Sequence, residues 1–278
     1  MSFAKTFALA ATIAIAAGTA ASADQLADIK ARGTLICGTM GNYEPFSFPN
    51  PQTRQIQGYE VDLCQAIADD LGVKLELKLI AVEARIPELT QGRVDVISAA
   101  LGYTEERAQQ IDYSNASFVS MQKLLVKKDS GFDSIDSLGD KKISAPKGSS
   151  SERFVREVLP NANLLTFQDP PAAFLALAQG KVNAMILSEV ASVKFINQTG
   201  DKFVFVPQAV AKEYWGLGLR KDEPAFKDAV NASLKKLEDS GKGAEIYNTW
   251  FGPATIFKMD RPFKLDEPVG APVLRPEA

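Results

Sequence analysis

Apolar and polar positions alternate along the chain with two different periods. Thr34–Cys37 is an apolar run typical of a buried strand. Tyr59–Leu71 carries apolar residues at helical spacing and stops before Gly72, and Val73–Leu79 then alternates with period two. This order predicts a β-α-β unit.

The same two patterns recur further along the chain. The additional predicted strands are Val94–Ile97, Lys142–Ala145, Leu164–Phe167, Phe203–Val206 and Tyr214–Leu219. The additional predicted helices are Ala84–Gln91, Ser151–Leu159, Pro171–Gln179, Glu189–Asn197, Pro224–Leu237 and Gly243–Trp250. Such alternation predicts an α/β fold with mainly parallel strands and helices on both faces. The proline-rich tail after Gly252 is expected to run over the surface.

One segment is echoed within the chain: Leu89–Ile97 resembles Leu177–Met185. In both, a helix ends at glycine and a basic residue leads into a strand, which indicates two similar lobes; a chance match is the alternative. The two strands then end near Ala100 and Ser188. Since open α/β sheets bind ligands beyond the carboxyl ends of their strands, we expect one ligand cleft between the lobes.

The first 23 residues have the pattern of a secretory signal peptide. Lys5 is followed by an apolar run over Phe7–Ala17 and by the small-residue cleavage pattern Ala21–Ala23. A membrane anchor is the alternative, but the run is shorter than the roughly 20 residues that a spanning helix needs. We therefore expect a protein of the bacterial periplasm.

Charge and composition exclude several functions. The chain has 31 basic against 34 acidic residues, so nucleic acid is not an expected partner. Histidine is absent, which removes the usual general base and the commonest metal ligand. We expect neither a metal nor a cofactor, and no catalytic residues. An oxidising compartment leaves two interpretations open for Cys37 and Cys64, a disulfide or two small buried apolar residues.

Two segments are suited to hold a small anion. Thr104 fits the N-cap of a helix with Arg107 in its first turn, and a guanidinium can bind a carboxylate through two hydrogen bonds. Gly148–Glu152 begins another helix with a series of hydroxyl and N–H donors. On composition alone, a surface charge and ordinary helix caps are the alternative.

The sequence resembles the family 3 periplasmic solute-binding proteins, which are the receptors of polar amino acid ABC importers, from about Leu35 to Gly252. The resemblance rests on the order and spacing of Gly38–Phe46, Gly58–Leu63, Ile86–Leu89, Gly92–Asp95, Thr104–Arg107, Ile111–Ser114, Gly148–Glu152 and Trp250–Gly252.

This resemblance implies a two-lobed periplasmic binding protein fold of type II, with the ligand cleft between lobes joined by a two-strand hinge. The crossings are expected near Val119–Gln122 and Lys212–Gly216. Lobe 1 would then comprise residues 24–119 and 216–255, lobe 2 residues 120–215, and the surface tail residues 256–278. The same resemblance implies that Arg107 binds the ligand carboxylate and that the hydroxyl groups of Thr104, Ser149 and Ser150 contact the ligand.

Other positions bear on the kind of ligand. Tyr43 and Tyr59 match aromatic positions around the ligand side chain, with core packing as the alternative. Ser188 stands where the family has an aspartate for the ligand ammonium, and Gly102 stands where it has a hydroxyl, so the ammonium partner stays open. Met40 replaces a common acidic residue, which weakens the case for a basic amino acid as the ligand.

Arg85 matches an arginine that reaches the side-chain carboxylate in members that bind glutamate or aspartate. It favours an acidic amino acid or dicarboxylate, although Glu83 could simply neutralise it.

The sequence therefore predicts a non-enzymatic, monomeric receptor that closes on a small carboxylated solute, an amino acid or dicarboxylate, and delivers it to a membrane permease. Two alternatives stay open. One is a periplasmic dehydratase-like enzyme, whose acid would be sought among Glu44, Glu83 and Glu189. The other is a ligand-sensing partner of a receptor kinase.

Overall fold

The computed structural model describes residues 24–277 of the chain. Nine α-helices lie within these residues: α1 (Gln25–Arg32), α2 (Tyr59–Leu71), α3 (Arg85–Thr90), α4 (Glu105–Gln110), α5 (Ser150–Val158), α6 (Pro170–Ala178), α7 (Glu189–Thr199), α8 (Pro224–Asp239) and α9 (Lys242–Phe251). The strands of the same part of the chain are β1 (Thr34–Thr39), β2 (Phe48–Pro49), β3 (Ile56–Gln57), β4 (Lys74–Leu79), β5 (Val96–Ile97), β6 (Asp112–Lys127), β7 (Lys142–Pro146), β8 (Asn163–Phe167), β9 (Ala184–Ser188), β10 (Phe203–Leu219) and β11 (Val273–Leu274).

One nine-stranded sheet runs through the molecule in the order β4-β1-β5-β10-β6-β9-β7-β8, with β11 beside β10. At one end β1 pairs in parallel with β4 and β5, and at the other end β7 pairs in parallel with β8 and β9. Each parallel group, with its helices, is the centre of one lobe. The predicted α/β class and two-lobed architecture are confirmed.

Two long antiparallel strands, β6 and β10, connect these groups. Residues Gln122–Val126 of β6 pair with β9 in lobe 2, while Gly218 of β10 pairs with Ile97 of β5 in lobe 1. Each strand therefore passes from one lobe to the other, which supports the predicted crossings and lobe boundaries, and we propose those boundaries for this chain. The sequence predicted two short strands where β10 is continuous, and it did not predict β6.

The echoed segment has the same structure in both lobes. In each copy a helix ends before a glycine in the left-handed region, Gly92 at φ 70° and Gly180 at φ 72°. A strand follows, β5 in the first lobe and β9 in the second. The repeated glycine is thus explained, because a residue with a Cβ atom adopts this backbone conformation at a cost.

Helix α2 is packed by the apolar positions that predicted it. Leu63, Cys64 and Ile67 are fully buried, and Gly72 caps the helix at φ 70°. Cys64 forms a disulfide with Cys37 of β1, across a Cα–Cα distance of 6.5 Å. Of the two interpretations that the sequence left open, the disulfide is the one found.

The C-terminal tail differs from the surface segment that the sequence predicted. Phe263 and Leu265 are buried in the lobe 1 core, and β11 pairs with Ala211 and Lys212 of β10. The tail carries no helical or strand periodicity that would reveal this packing. Single apolar residues between prolines anchor it instead.

No helix between residues 24 and 277 has the length and apolar character needed to cross a bilayer. The predicted signal peptide, residues 1–23, lies outside the described residues.

Candidate functional site: a cleft between the lobes

Arg85 begins α3 and lies in the wall of lobe 1 that faces lobe 2, with only 3% of its surface exposed. Its Nε donates to the carbonyl of Val82, and its Nη1 donates to the carbonyls of Ala99 and Ala100, all at 2.8 Å. Its Nη2 reaches across to the Gly148 carbonyl of lobe 2 at 3.2 Å. The guanidinium thus ties the end of β5 to α3 and touches the opposite lobe.

Arg107 lies in the first turn of α4, as the sequence predicted. The Thr104 hydroxyl caps this helix by accepting a hydrogen bond from the Arg107 backbone N–H at 3.1 Å. The Arg107 guanidinium donates to the Gly102 carbonyl at 2.8 Å and to the Gly148 carbonyl at 2.9 Å. Arg85 and Arg107 therefore converge on one carbonyl oxygen of the other lobe.

The two guanidiniums concentrate positive charge at this point. Burial, together with the charge of Arg107, lowers the pKa of Arg85 to about 9. Within residues 24–277, neither arginine forms a salt bridge with a carboxylate. The arrangement favours an anion, because carbonyl dipoles neutralise only in part the charges of the buried Arg85 and the half-buried Arg107.

Lobe 2 presents the N-terminus of α5 to these arginines. Ser149 caps the helix by accepting a hydrogen bond from the Glu152 N–H at 3.2 Å, and its own hydroxyl donates to the Pro146 carbonyl at 2.6 Å. Ser150, the first helical residue, is 95% buried. Free N–H groups at a helix start add to the attraction for an anion.

A cavity lies between the lobes and draws its lining from both. The lining residues are Met40, Tyr43, Val82, Arg85, Ala100, Gln122, Pro146, Ser149, Ser150, Ser151, Pro170, Leu187, Glu213 and Trp215. Thr104 and Arg107 line an adjoining groove on the other side of Gly148, and Ser149 and Ser150 border both spaces. Most of the predicted site residues are thus brought together around the Gly148 turn.

Tyr59 is an exception, since it lies in the core of lobe 1. Its side chain is 1% exposed, and its hydroxyl donates to the Ser117 carbonyl at 2.7 Å. Its ring packs against Phe251 at a centroid distance of 5.1 Å. The assignment of Tyr59 to the cleft is therefore corrected to core packing, because this helix start points its aromatic ring inward.

Ser188 is also placed behind the cavity wall. It is fully buried at the start of α7, where its hydroxyl accepts from the Ala191 N–H at 3.5 Å. It also lies within hydrogen-bond reach of the Tyr43 hydroxyl, whose pKa is raised by burial. Its neighbour Leu187 contributes to the lining instead.

A carboxylate that the sequence interpretation did not single out lies in the cavity wall. Glu213 of β10 is 1% exposed, and its Oε1 accepts hydrogen bonds from Gln122 Nε2 at 2.7 Å and Trp215 Nε1 at 2.8 Å. Its Oε2 has no hydrogen-bond partner among residues 24–277. Burial raises the pKa of Glu213, and the hydrogen bond from Trp215, the nearby Ser150 hydroxyl and the two arginines counteract this effect. The signal in the sequence that could have identified Glu213 is an acidic residue within an otherwise apolar strand at a predicted crossing.

The three carboxylates considered for an acid catalyst are instead paired with lysines. Each distance joins a carboxylate oxygen to a lysine Nζ. The pairs are Glu44 with Lys194 at 2.5 Å, Glu83 with Lys147 at 2.7 Å and Glu189 with Lys123 at 2.8 Å. The first two pairs join the lobes across the cleft, so the lobes are in contact around the cavity.

Comparison with known proteins agrees with this geometry. Residues 35–253 match the model of the bacterial extracellular solute-binding proteins, family 3. The chain belongs to this family. The match covers both lobes and ends two residues after α9, so the tail that crosses back to β10 lies beyond it.

Individual relatives of this solute-binding protein bind amino acids. The ABC transporter glutamine-binding protein GlnH of Bacillus subtilis (strain 168) is 33% identical over 231 residues, covering 82% of this chain and 84% of the relative. The L-cystine-binding protein TcyJ of Escherichia coli (strain K12) is 28% identical over 226 residues, covering 81% and 85%.

A solved structure gives the same picture. The ancestral amino acid-binding protein AncCDT-1, described as a precursor of cyclohexadienyl dehydratase, superimposes with a TM-score of 0.76 at 32% identity. The similarity covers 83% of this chain and all of that one. The predicted family membership and solute-receptor fold are confirmed.

Proposed function

We propose that this chain is an extracytoplasmic receptor that closes its two lobes on a free polar or acidic amino acid and delivers it to the membrane permease of an ABC importer. The observation that carries this proposal is the convergence of Arg85 and Arg107 on the Gly148 carbonyl. Two guanidiniums from one lobe face a helix N-terminus of the other, and a carboxylate between them would bind both lobes at once.

Arg107 is the proposed partner of the α-carboxylate. Its fork of donors is held by the capped first turn of α4, and the start of α5 with Ser149 and Ser150 faces it from lobe 2. A ligand carboxylate in this place would replace the Gly148 carbonyl as acceptor. A charged acceptor roughly doubles the strength of such a hydrogen bond.

The ligand side chain would then lie in the cavity beside Arg85, Met40, Tyr43 and Trp215. Most Arg85 donors are committed to lobe 1 carbonyls, so only Nη2 is directed to the cleft. The two N–H groups of Nη2 can bind an amide or a carboxylate at the end of the ligand side chain. This supports a polar or acidic amino acid, and it agrees with relatives named for glutamine and cystine.

Closure is the proposed working motion. The ion pairs of Glu83 with Lys147 and Glu44 with Lys194 join opposite lobes, while β6 and β10 connect them as a hinge. A ligand that contacts both lobes shifts the population toward this closed form. We further propose a monomer in the bacterial periplasm.

Native mass spectrometry of the purified protein, followed by calorimetry against the twenty L-amino acids and L-cystine, tests the proposal. We expect one or a few related amino acids to bind, and X-ray scattering to show a more compact molecule on binding. Absence of binding by every amino acid would overturn the ligand class. An unchanged scattering profile at saturation would overturn the closure mechanism.

A dehydratase-like enzyme is the second candidate, and Glu213 is the reason to retain it. A buried cleft acid with a raised pKa is what proton donation to a leaving group requires. The structural similarity to a dehydratase precursor points the same way. Incubation with a cyclohexadienyl substrate of such a dehydratase should give no product if the chain is only a receptor, and turnover would establish the enzyme.

A further inference from the structure

Glu213 and Gly102 fit together in the cleft wall. A Cβ atom on residue 102 would overlap Glu213 Oε2. The family that the sequence resembles has a hydroxyl side chain at this position. Glycine here therefore gives the Glu213 carboxylate the space that a serine or threonine side chain would otherwise fill.

In this space, one oxygen of the Glu213 carboxylate accepts hydrogen bonds from the protein, and the other is available to a ligand. Gln122 and Trp215 donate to Oε1, whereas no donor among residues 24–277 meets Oε2 with full hydrogen-bond geometry, although the Ser150 hydroxyl lies beside the carboxylate. Neither Arg85 nor Arg107 forms a salt bridge with it among the same residues, although both lie close enough to influence it. A buried carboxylate oxygen without a donor is unfavourable, so a cationic N–H donor would stabilise it strongly.

Gly102 also connects this carboxylate to the proposed carboxylate site. Its carbonyl accepts a hydrogen bond from Arg107 Nη1 at 2.8 Å, while its Cα faces Glu213 Oε2. A guanidinium and a carboxylate thus flank a single residue. An α-amino acid presents its own carboxylate and ammonium on one carbon atom, with matching opposite charges.

We propose that Glu213 accepts the α-ammonium group of the ligand, in place of the aspartate that the family has at Ser188. This inference rests on the proposed function and narrows it to ligands with a free α-amino group. Ser188 cannot take the role, because it is fully buried and its hydroxyl caps α7. The carboxylate has moved from lobe 2 to the crossing strand β10, and Gly102 makes room for it.

Calorimetry with matched probes tests this inference. The probe pairs are L-glutamine with 4-carbamoylbutanoate, L-glutamate with glutarate, and L-arginine with 5-guanidinopentanoate, which differ within each pair by the α-ammonium group. The wild-type protein should prefer the amine member, and Glu213→Gln should reduce that preference at least about tenfold by weakening only the amine member. Glu189→Gln is the matched control, since it removes a carboxylate paired with Lys123, and should leave the preference unchanged.

A further variant guards against misfolding of Glu213→Gln. Glu213→Asp keeps the charge and should retain part of the preference. If an amino acid binds Glu213→Gln with undiminished preference over its deaminated partner, the inference is overturned and the proposed function stands. If no amino acid binds the wild-type protein, both are overturned.

Discussion

Glu83 of lobe 1 and Lys147 of lobe 2 form an ion pair at 2.7 Å across the mouth of the cleft. Both side chains are more than half exposed, so the pair is weak in itself. Its geometry nevertheless exists only while the lobes are in contact. The pair therefore acts on the equilibrium between open and closed forms more than on folding.

Removing this pair should favour the open form. We expect Glu83→Gln to shift the ligand-free population toward the open form by no more than a few-fold, and to weaken ligand binding by the same factor. Single-molecule distance measurements between labelled lobes would detect it. Glu157→Gln, which removes a pair within α5, is the control, and an equal shift in both variants would contradict the role of Glu83.

Arg85 should affect both stability and selectivity. Arg85→Ala leaves the buried carbonyls of Val82 and Ala99 without their donor, at about 1–3 kcal/mol each, and also the part-buried carbonyl of Ala100. We therefore expect a clearly lower melting temperature. If the ligand is acidic, affinity for L-glutamate should fall more than that for L-glutamine, because only the acid has a second carboxylate.

Arg85→Lys separates these two roles. A lysine keeps the charge and can donate to some of the same carbonyls, so it should recover part of the stability without the planar fork. Titration of glutamate and glutamine against both variants is the measurement. Equal losses for the acid and the amide would leave Arg85 as a purely structural residue.

Glu60 should make the stability depend on pH. Its Oε1 accepts a hydrogen bond from the Ala100 N–H at 2.5 Å, but burial raises the pKa of its carboxyl to about 7 from 4.5. Since the folded state holds the proton more tightly than the unfolded state, the free energy of unfolding falls as pH rises from about 4.5 to about 7. The expected loss from this group is about 3 kcal/mol.

Glu60→Gln should remove this loss and keep the hydrogen bond to Ala100. Urea unfolding at pH 5 and pH 8 compares the two proteins, with the exposed Glu105→Gln as control. The Glu60 variant should show the smaller decrease between the two pH values. Identical decreases in all three proteins would show that Glu60 is ionised in the fold without penalty.

The tail provides a test of how the chain is anchored. Phe263 is buried in the lobe 1 core, so Phe263→Ala should cost about 3–5 kcal/mol. Deletion of residues 271–278 removes β11 from the edge of β10 together with the exposed ion pair of Arg275 with Asp136, and should lower the melting temperature less. The reverse order would mean that the added strand, and not the core contact, holds the tail.

The sequence does not predict α1, but it predicts the later helices well because of their apolar positions and local stop signals. All those predicted from periodicity lie within two residues of the observed bounds, as α2 before Gly72 illustrates. Strand β6 escaped notice because serines interrupt its apolar pattern. In the structure the Ser114 hydroxyl accepts from the Leu217 N–H at 2.9 Å and the Ser117 hydroxyl donates to the Trp215 carbonyl at 3.3 Å, both in the neighbouring strand. The Ser120 hydroxyl instead accepts from the Gln122 side chain at 3.1 Å.

Residues of the site were predicted only where they match a position of the family or stand at the start of a helix. Arg107 and Ser149 are found at helix starts, as expected. Tyr59 was misplaced because the first residue of a helix can face either the cleft or the core, and sequence spacing does not decide between them. Glu213 escaped because its environment depends on Gly102, a residue distant in sequence that lies beside it only in the folded sheet.

Calorimetry tests most directly whether Arg107 holds the ligand carboxylate. The tightest-binding amino acid is titrated into ligand-free wild type and into Arg107→Ala. The half-buried Arg107 donates to the carbonyls of Gly102 and Gly148, and its removal should leave the melting temperature of the unliganded protein nearly unchanged. Affinity should fall at least about tenfold, and Arg107→Lys should restore little of it, because an ammonium lacks the planar fork. An unchanged affinity in Arg107→Ala would contradict the assignment of the ligand carboxylate to this cleft.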